Sequence, residues 1–233
     1  HIENFYIMQQ NNNSVNQKNY IFSDSFDEND INAVEFNDAQ FKYFNSDKEI
    51  FENINVTFPK DKHIVITGAN GSGKSTLLGL IAGVLYPQSG SVTSNTSNIG
   101  YIGAIPLILT DTIRANVLYG NKFEVGDQQI LEILESFELF DQESRYDLDL
   151  EISNKTLSSG QMQKIAFARA LLAKVELLLL DESTANLDDK TRNKIFDILE
   201  KENITIINST HDPKMFKSVD LFYNTIFENN LRQ

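Results

Sequence analysis

The 233-residue chain contains no cysteine, which excludes disulfides and thiolate metal sites. Histidine is nearly as scarce: His1, His63 and His211 are the only imidazoles, too few and too scattered in sequence to suggest a transition-metal enzyme. No uninterrupted apolar run reaches the ~18 residues needed to cross a bilayer. The longest candidates are broken by Arg114, Lys164 or Glu176, and the chain as given is expected to be soluble. His1 to Gln10 lack the basic segment and apolar run of a signal peptide, and His1 in place of methionine suggests a piece of a longer chain. No internal repeat is visible. Positive charge is short as well. The 20 Lys and Arg against 33 Asp and Glu give a formal net charge of −13, which argues against nucleic acid as a ligand, because phosphate-backbone binders concentrate Lys and Arg.

What the chain does hold is ample apolar content, 41%, for a packed interior. Residues 1–33 are rich in Asn, Gln, Asp and Ser, with Gln9 to Asn13 and the acidic stretch Asp24 to Asp30, and read as a linker. From Val34 the pattern becomes short alternating segments, Val34–Phe36, Ala39–Tyr43 and Ile54–Phe58, which predict an antiparallel β-layer. Ser91–Thr93 and Ile99–Ile102 continue as strands, and the layer is expected to end near Ile102. Residues 111–173 carry apolar positions three and four apart over Asp111–Tyr119, Gln128–Phe140 and Ser158–Ala173, a helical insert. Leu177–Leu180, Asp188–Glu202 and Ile204–Ile207 then return to strand, helix and strand. The tail from Val219 is weakly patterned.

Gly68-Ala69-Asn70-Gly71-Ser72-Gly73-Lys74-Ser75 fits G-x-x-x-x-G-K-[ST], between the strand-like Ile64–Ile66 and a helix-like run from Thr76 to Ala82. A strand ending in glycines lets successive backbone N–H groups turn inward around phosphate oxygens, and the following helix adds its positive N-terminal end. Gly68, Asn70, Gly71, Ser72, Gly73, Lys74, Ser75 and Thr76 are therefore candidate nucleotide contacts, with Lys74 reaching the β- and γ-phosphates and Ser75 holding Mg²⁺. An acidic chain can still bind ATP, since a few N–H groups, one lysine and Mg²⁺ set the local potential.

Four leucines, Leu177–Leu180, run into Asp181-Glu182, as a buried strand does when it delivers carboxylates to the ligand-binding edge of a sheet. Asp181 would support the Mg²⁺ shell, and Glu182 could polarise the water attacking the γ-phosphate. Alone, such a pair could equally be solvated acids at a strand end. Leu157-Ser158-Ser159-Gly160-Gln161 begins the third helix of the insert, and a capping box from Ser158 to Gln161 would by itself explain those two residues.

Together, and in this order, the motifs resemble the ATP-binding cassette (ABC) family, whose nucleotide-binding domains place L-S-G-G-Q between the phosphate loop and the D-E strand; Ser159 stands for one of its glycines. The resemblance covers about residues 34–215. It implies a P-loop, RecA-like α/β core with an antiparallel β-layer and a helical subdomain at about 105–173, the domain as a whole spanning 34–233. It implies that Ser158, Ser159, Gly160 and Gln161 grip the γ-phosphate of ATP held by a second cassette. Tyr43 would stack on adenine, although an aromatic in a β-layer is also explained by packing; Asp188 would belong to the loop that crosses the dimer interface. His211, otherwise a plain structural histidine, would be the switch contacting the γ-phosphate, which makes Lys74, Glu182 and His211 the catalytic set.

Two departures stand out. Ala104 falls where the family has a glutamine reaching Mg²⁺ and the attacking water, and no glutamine lies between Tyr101 and Val125; slower or differently coupled hydrolysis is expected. Asp61 replaces a turn glycine. Thr112-Ile113-Arg114-Ala115-Asn116-Val117 is similar to the T-I-R-E-N-I segment of exporters, and Ile2–Tyr6 to the end of a last transmembrane helix. The resemblance thus implies an export ATPase that hydrolyses ATP as a head-to-tail dimer on the cytoplasmic face of a membrane, partnered by a transmembrane domain. An importer subunit and a non-transport or regulatory cassette stay open, since the glutamate- and glycine-rich stretch of exporters is hardly recognisable at 149–154.

Overall fold

The computed structural model describes residues 17–22, 27, 29–44, 46–140, 147–216 and 218–224. Its centre is a five-stranded, wholly parallel sheet of β4 (His63–Thr67), β6 (Ile99–Ile102), β9 (Leu177–Asp181), β10 (Thr205–Ser209) and β11 (Leu221–Asn224), in the order β11-β4-β10-β9-β6. Parallel strands covered on both faces lose the polar half of the period-2 pattern. In β9, Leu177 and Leu179 pack into one core cluster while Leu178 and Leu180 pack into the other, so four leucines in a row serve two faces.

The first cluster lies beneath a second sheet, in which β2 (Asn32–Phe41) pairs antiparallel with β3 (Phe51–Pro59) and β5 (Ser89–Ser94). The two segments expected at 34–36 and 39–43 are one strand with a bulge: Asp38 has φ 47° and the register shifts around it. Opposite stands Gly90, φ 71°, where an added Cβ would lie 2.2 Å from the Asp38 carbonyl oxygen, so only glycine fits. The antiparallel layer ends at β5 and not near Ile102. Ile99–Ile102 belongs to the parallel sheet, pressed onto β9 where Gly100 leaves room for Leu178. A four-residue apolar run signals a strand but carries no information about which sheet receives it.

Within the stretch expected as a linker, Tyr20–Phe22 form β1, paired parallel to β5. The Tyr20 hydroxyl donates to the Ile81 carbonyl at 2.5 Å, its ring lies against Gly83, and burial pushes its pKa up to about 12. Ile2–Tyr6 and Gln9–Asn13 lie outside the described residues.

Five α-helices stand among the described residues: α1 (Lys74–Ile81), α2 (Ile113–Val117), α3 (Asp127–Ser136), α4 (Ser159–Leu172) and α5 (Asp189–Lys201). Two are shorter than their periodicity predicts. Asp111 and Thr112 form β7, paired with β8 (Glu151–Ile152), and Thr112 caps α2 by accepting from the Ala115 N–H at 3.0 Å. After α3 the chain turns at Glu138, φ 50°, whose N–H bonds the Glu135 carbonyl, so Phe137–Phe140 leave the helix axis while Leu139 stays buried. The apolar faces of α2, α3 and α4 close over the second cluster with Leu178, Leu180 and Ile206. No helix among the described residues is long and apolar enough to cross a membrane.

Candidate functional site

The register of the central sheet sets Ser209 beside both Ile66 and Asp181, so β4, β10 and β9 end level with one another. The loops leaving these three ends carry Gly68–Gly73, His211 and Glu182, and the carboxyl edge of a parallel sheet is where such folds bind ligands.

From β4 the chain enters the glycine loop, with Gly71 at φ 76° and Gly73 at φ 97°, a region side chains avoid. Gly73 is the N-cap of α1 and offers no side-chain cap, so the first N–H groups of that helix stay available to an anion. Lys74 is only 5% exposed, and its ammonium group donates to the Gly68 and Ala69 carbonyls at 3.0 and 3.1 Å. A buried cation beside uncapped helix N–H groups is a cradle that suits a polyphosphate. Thr76 is reached from β2's outgoing loop: the Tyr43 and Thr76 hydroxyls are 2.8 Å apart, and the half-exposed Tyr43 ring meets Phe41 edge-on at 5.1 Å.

The neighbouring carboxylates turn to different partners. Asp181 accepts from Ser209 Oγ at 2.6 Å on Oδ1 and from the Tyr101 hydroxyl at 2.9 Å on Oδ2. Burial, with the Asp181 charge next, pushes the Tyr101 pKa well above the ordinary phenol value, which keeps the hydroxyl a donor. Glu182 adopts φ 53°, donates its N–H to the Ser209 carbonyl, and places Oε1 2.6 Å from His211 Nε2. A non-glycine residue in the left-handed region is held there by its surroundings, and such residues gather at functional sites.

Ser158, Ser159, Gly160 and Gln161 stand on a separate element. Ser158 Oγ accepts from the Gln161 N–H while Gln161 Oε1 accepts from the Ser158 N–H, so the capping box is complete, and Gln161 also reaches the Leu139 carbonyl. Gly160 faces Asn186: a Cβ there would sit 3.2 Å from its carbonyl oxygen, which brings this helix start against the loop leading to Asp188. Asp188 caps α5 through the Thr191 N–H and hydroxyl, the bonds that hold its carboxyl below the usual range.

Ala104 is exposed and lies in a segment tied to α4: buried Gln163 donates to the Gly103 and Ala104 carbonyls, and Arg169 to those of Leu107 and Asn116. Sequence reasoning missed Tyr101, Ser209 and Gln163. Ser209 ends an apolar strand in polarity as Asp181 does, a usable signal; Tyr101 and Gln163 offered none.

This fold and edge-of-sheet site define a P-loop nucleotide-binding domain. The ABC transporter family matches over residues 51–185, and the chain belongs to that family. It is 32% identical over 178 residues to the uncharacterised ABC transporter ATP-binding protein y4gM of Sinorhizobium fredii, covering 70% of this chain and 30% of that protein. It is 28% identical over 226 residues to the putative export ATP-binding/permease protein RP696 of Rickettsia prowazekii, covering 89% and 38%. It is 32% identical over 180 residues to the lactococcin-A transport/processing ATP-binding protein LcnC of Lactococcus lactis, covering 70% and 25%. The chain thus spans well under half the length of these relatives. Its fold is similar to part of a bacterial Atm1-family ABC exporter solved with ATP bound, at TM-score 0.76 and 23% identity over 87% of this chain and 38% of that one.

Proposed function

We propose that the chain is the ATP-hydrolysing domain of an ABC exporter, working as a head-to-tail pair with a second cassette beneath a transmembrane domain. The observation that carries this reading is the convergence at one sheet edge of the Lys74 cradle, the doubly bonded Asp181 and the Glu182–His211 pair. The glycine-loop N–H groups and Lys74 would hold the phosphates, and Tyr43 the adenine face. Ser75 and Asp181 would hold Mg²⁺, which supplies charge neutralisation on the β- and γ-phosphates when bound. Glu182 would accept the proton of the attacking water while His211 orients its carboxylate. Ser158 and the exposed start of α4 would meet the ATP of the partner cassette, so that closure assembles two equivalent sites and hydrolysis releases them. The names of the relatives and the segment 112–117 support export; substrate choice would lie in a transmembrane domain.

The test is the steady-state Mg²⁺-ATPase rate against protein concentration, with Glu182→Gln as blank. A specific rate that climbs with concentration and vanishes in the variant supports a composite-site dimer. One observation favours a second reading, an ATP-binding module of little turnover: the side chain at Ala104 offers no donor. Tight ATP binding without turnover at any concentration would favour it.

A further inference from the structure

Asp181 is bridged between strands. Its two carboxylate oxygens each accept one hydroxyl, Ser209 from β10 on one side and Tyr101 from β6 on the other, at 2.6 and 2.9 Å. The bridge follows from topology, because β9 lies between β6 and β10 and pairs with both in parallel register. Tyr101 is nevertheless 49% exposed. After β6, buried Gln163 donates to the Gly103 and Ala104 carbonyls, and the methyl of Ala104 offers no polar contact.

We propose that Tyr101 is a positioning residue for the Mg²⁺ site: its hydroxyl fixes the rotamer of the Asp181 carboxylate and supplies from β6 the polar contact that Ala104 cannot make. The proposal rests on the ATPase reading above. A carboxylate anchored through both oxygens holds its remaining lone pairs in fixed directions, so a cation or its water meets a preset ligand. With only Ser209 left, the carboxylate could rotate and the site would pay for ordering it on binding.

The experiment uses the chain with Glu182→Gln, which removes turnover, and Mn²⁺ as the probe, read by electron paramagnetic resonance with ATP saturating. Partners that orient a metal ligand typically contribute tenfold to a hundredfold in metal affinity, so Tyr101→Phe should weaken Mn²⁺ by about tenfold or more. ATP affinity measured in EDTA should stay within about twofold, because the phosphate cradle is untouched. Adding Ala104→Gln to Tyr101→Phe should recover most of the loss, whereas Ala104→Gln alone, which breaks no side-chain bond, should change Mn²⁺ affinity less than about twofold. Unchanged Mn²⁺ affinity in Tyr101→Phe, or a large gain from Ala104→Gln in the presence of Tyr101, overturns the proposal alone. Failure of the reference chain to bind ATP at all overturns the ATPase reading and this inference with it.

Discussion

Glu182 Oε1 and His211 Nε2 lie 2.6 Å apart, although the residues belong to loops after different strands, β9 and β10. The contact depends on the Glu182 backbone, whose φ of 53° goes with a carboxylate on His211, while Asp181, one residue earlier, bonds Ser209 and Tyr101. Removing a general base typically costs 10²–10⁴ in rate. Glu182→Gln should lose about that much ATPase activity while still binding ATP. His211→Ala, which removes an orienting partner and not the base, should lose about 10²-fold or less. Single-turnover rates on ATP-saturated protein decide it, and a Glu182→Gln chain keeping more than about a tenth of the parental rate rejects Glu182 as the base.

Gly71 and Gly73, both at positive φ in the phosphate loop, differ in their surroundings. An added Cβ at Gly73 would lie 3.0 Å from Ile50 Cγ2 and from Phe51 Cζ, whereas at Gly71 it would meet open space. Gly71→Ala should therefore cost only the backbone penalty, about 1 kcal/mol. Gly73→Ala should cost more, about 2–3 kcal/mol, as strain and crowding add. Urea unfolding of both variants gives the order directly; equal losses would mean that Ile50 and Phe51 yield without cost.

Much of this site was legible because its chemistry sits in contiguous strings. Gly68–Ser75, Leu177–Glu182 and Leu157–Gln161 each carry their own local signature, and the capping box written in Ser158 and Gln161 forms as such. The contacts between strings were not legible. Nothing in Ile99–Ile102 states that the strand joins the parallel sheet or that Tyr101 reaches Asp181, because sheet membership is decided by pairing partners tens of residues away. The β1 segment was invisible for a related reason: three residues cannot display alternation, and Tyr20–Phe22 are held by pairing to β5 and by the Tyr20 bond to Ile81. β11 is equally short, four residues on the outer edge beside β4.

Ser158 has two separable duties. As N-cap it stabilises α4, so Ser158→Ala should destabilise the fold by about 1 kcal/mol. Aspartate caps as well as serine, and Ser158→Asp should stay within about 0.5 kcal/mol of the parent. Yet its negative charge would stand where the partner's γ-phosphate is proposed to dock, so ATPase activity should no longer rise with protein concentration. Denaturant melts and the concentration series together separate the duties. Full activity in Ser158→Asp would show that this helix start meets no phosphate.

His63 predicts a stability change on mild acidification. Its ring is stacked on Phe196 at 4.8 Å and meets Phe216 edge-on at 5.3 Å; Nδ1 lies 2.8 Å from the Ser218 carbonyl, and Nε2 is buried with no hydrogen-bond partner among the described residues. Burial lowers its pKa below the ordinary 6.5, opposed by the Ser218 carbonyl and the Asp220 charge. The unfolded chain therefore takes up the proton first: between pH 6.5 and the lower folded value it binds more protons than the native state, and stability falls as pH falls through that window. Above pH 6.5 the residue contributes no slope. Acidic groups elsewhere add their own dependence, so the comparison is with His63→Phe, which keeps the ring stacking, loses the Ser218 bond at a cost of about 1 kcal/mol, and cannot titrate. The variant should be the less stable chain at pH 7.5, and the gap should narrow at pH 5.5, read from urea midpoints at both values. Parallel losses in the two chains would show that His63 takes up its proton in the native state as readily as in the unfolded one.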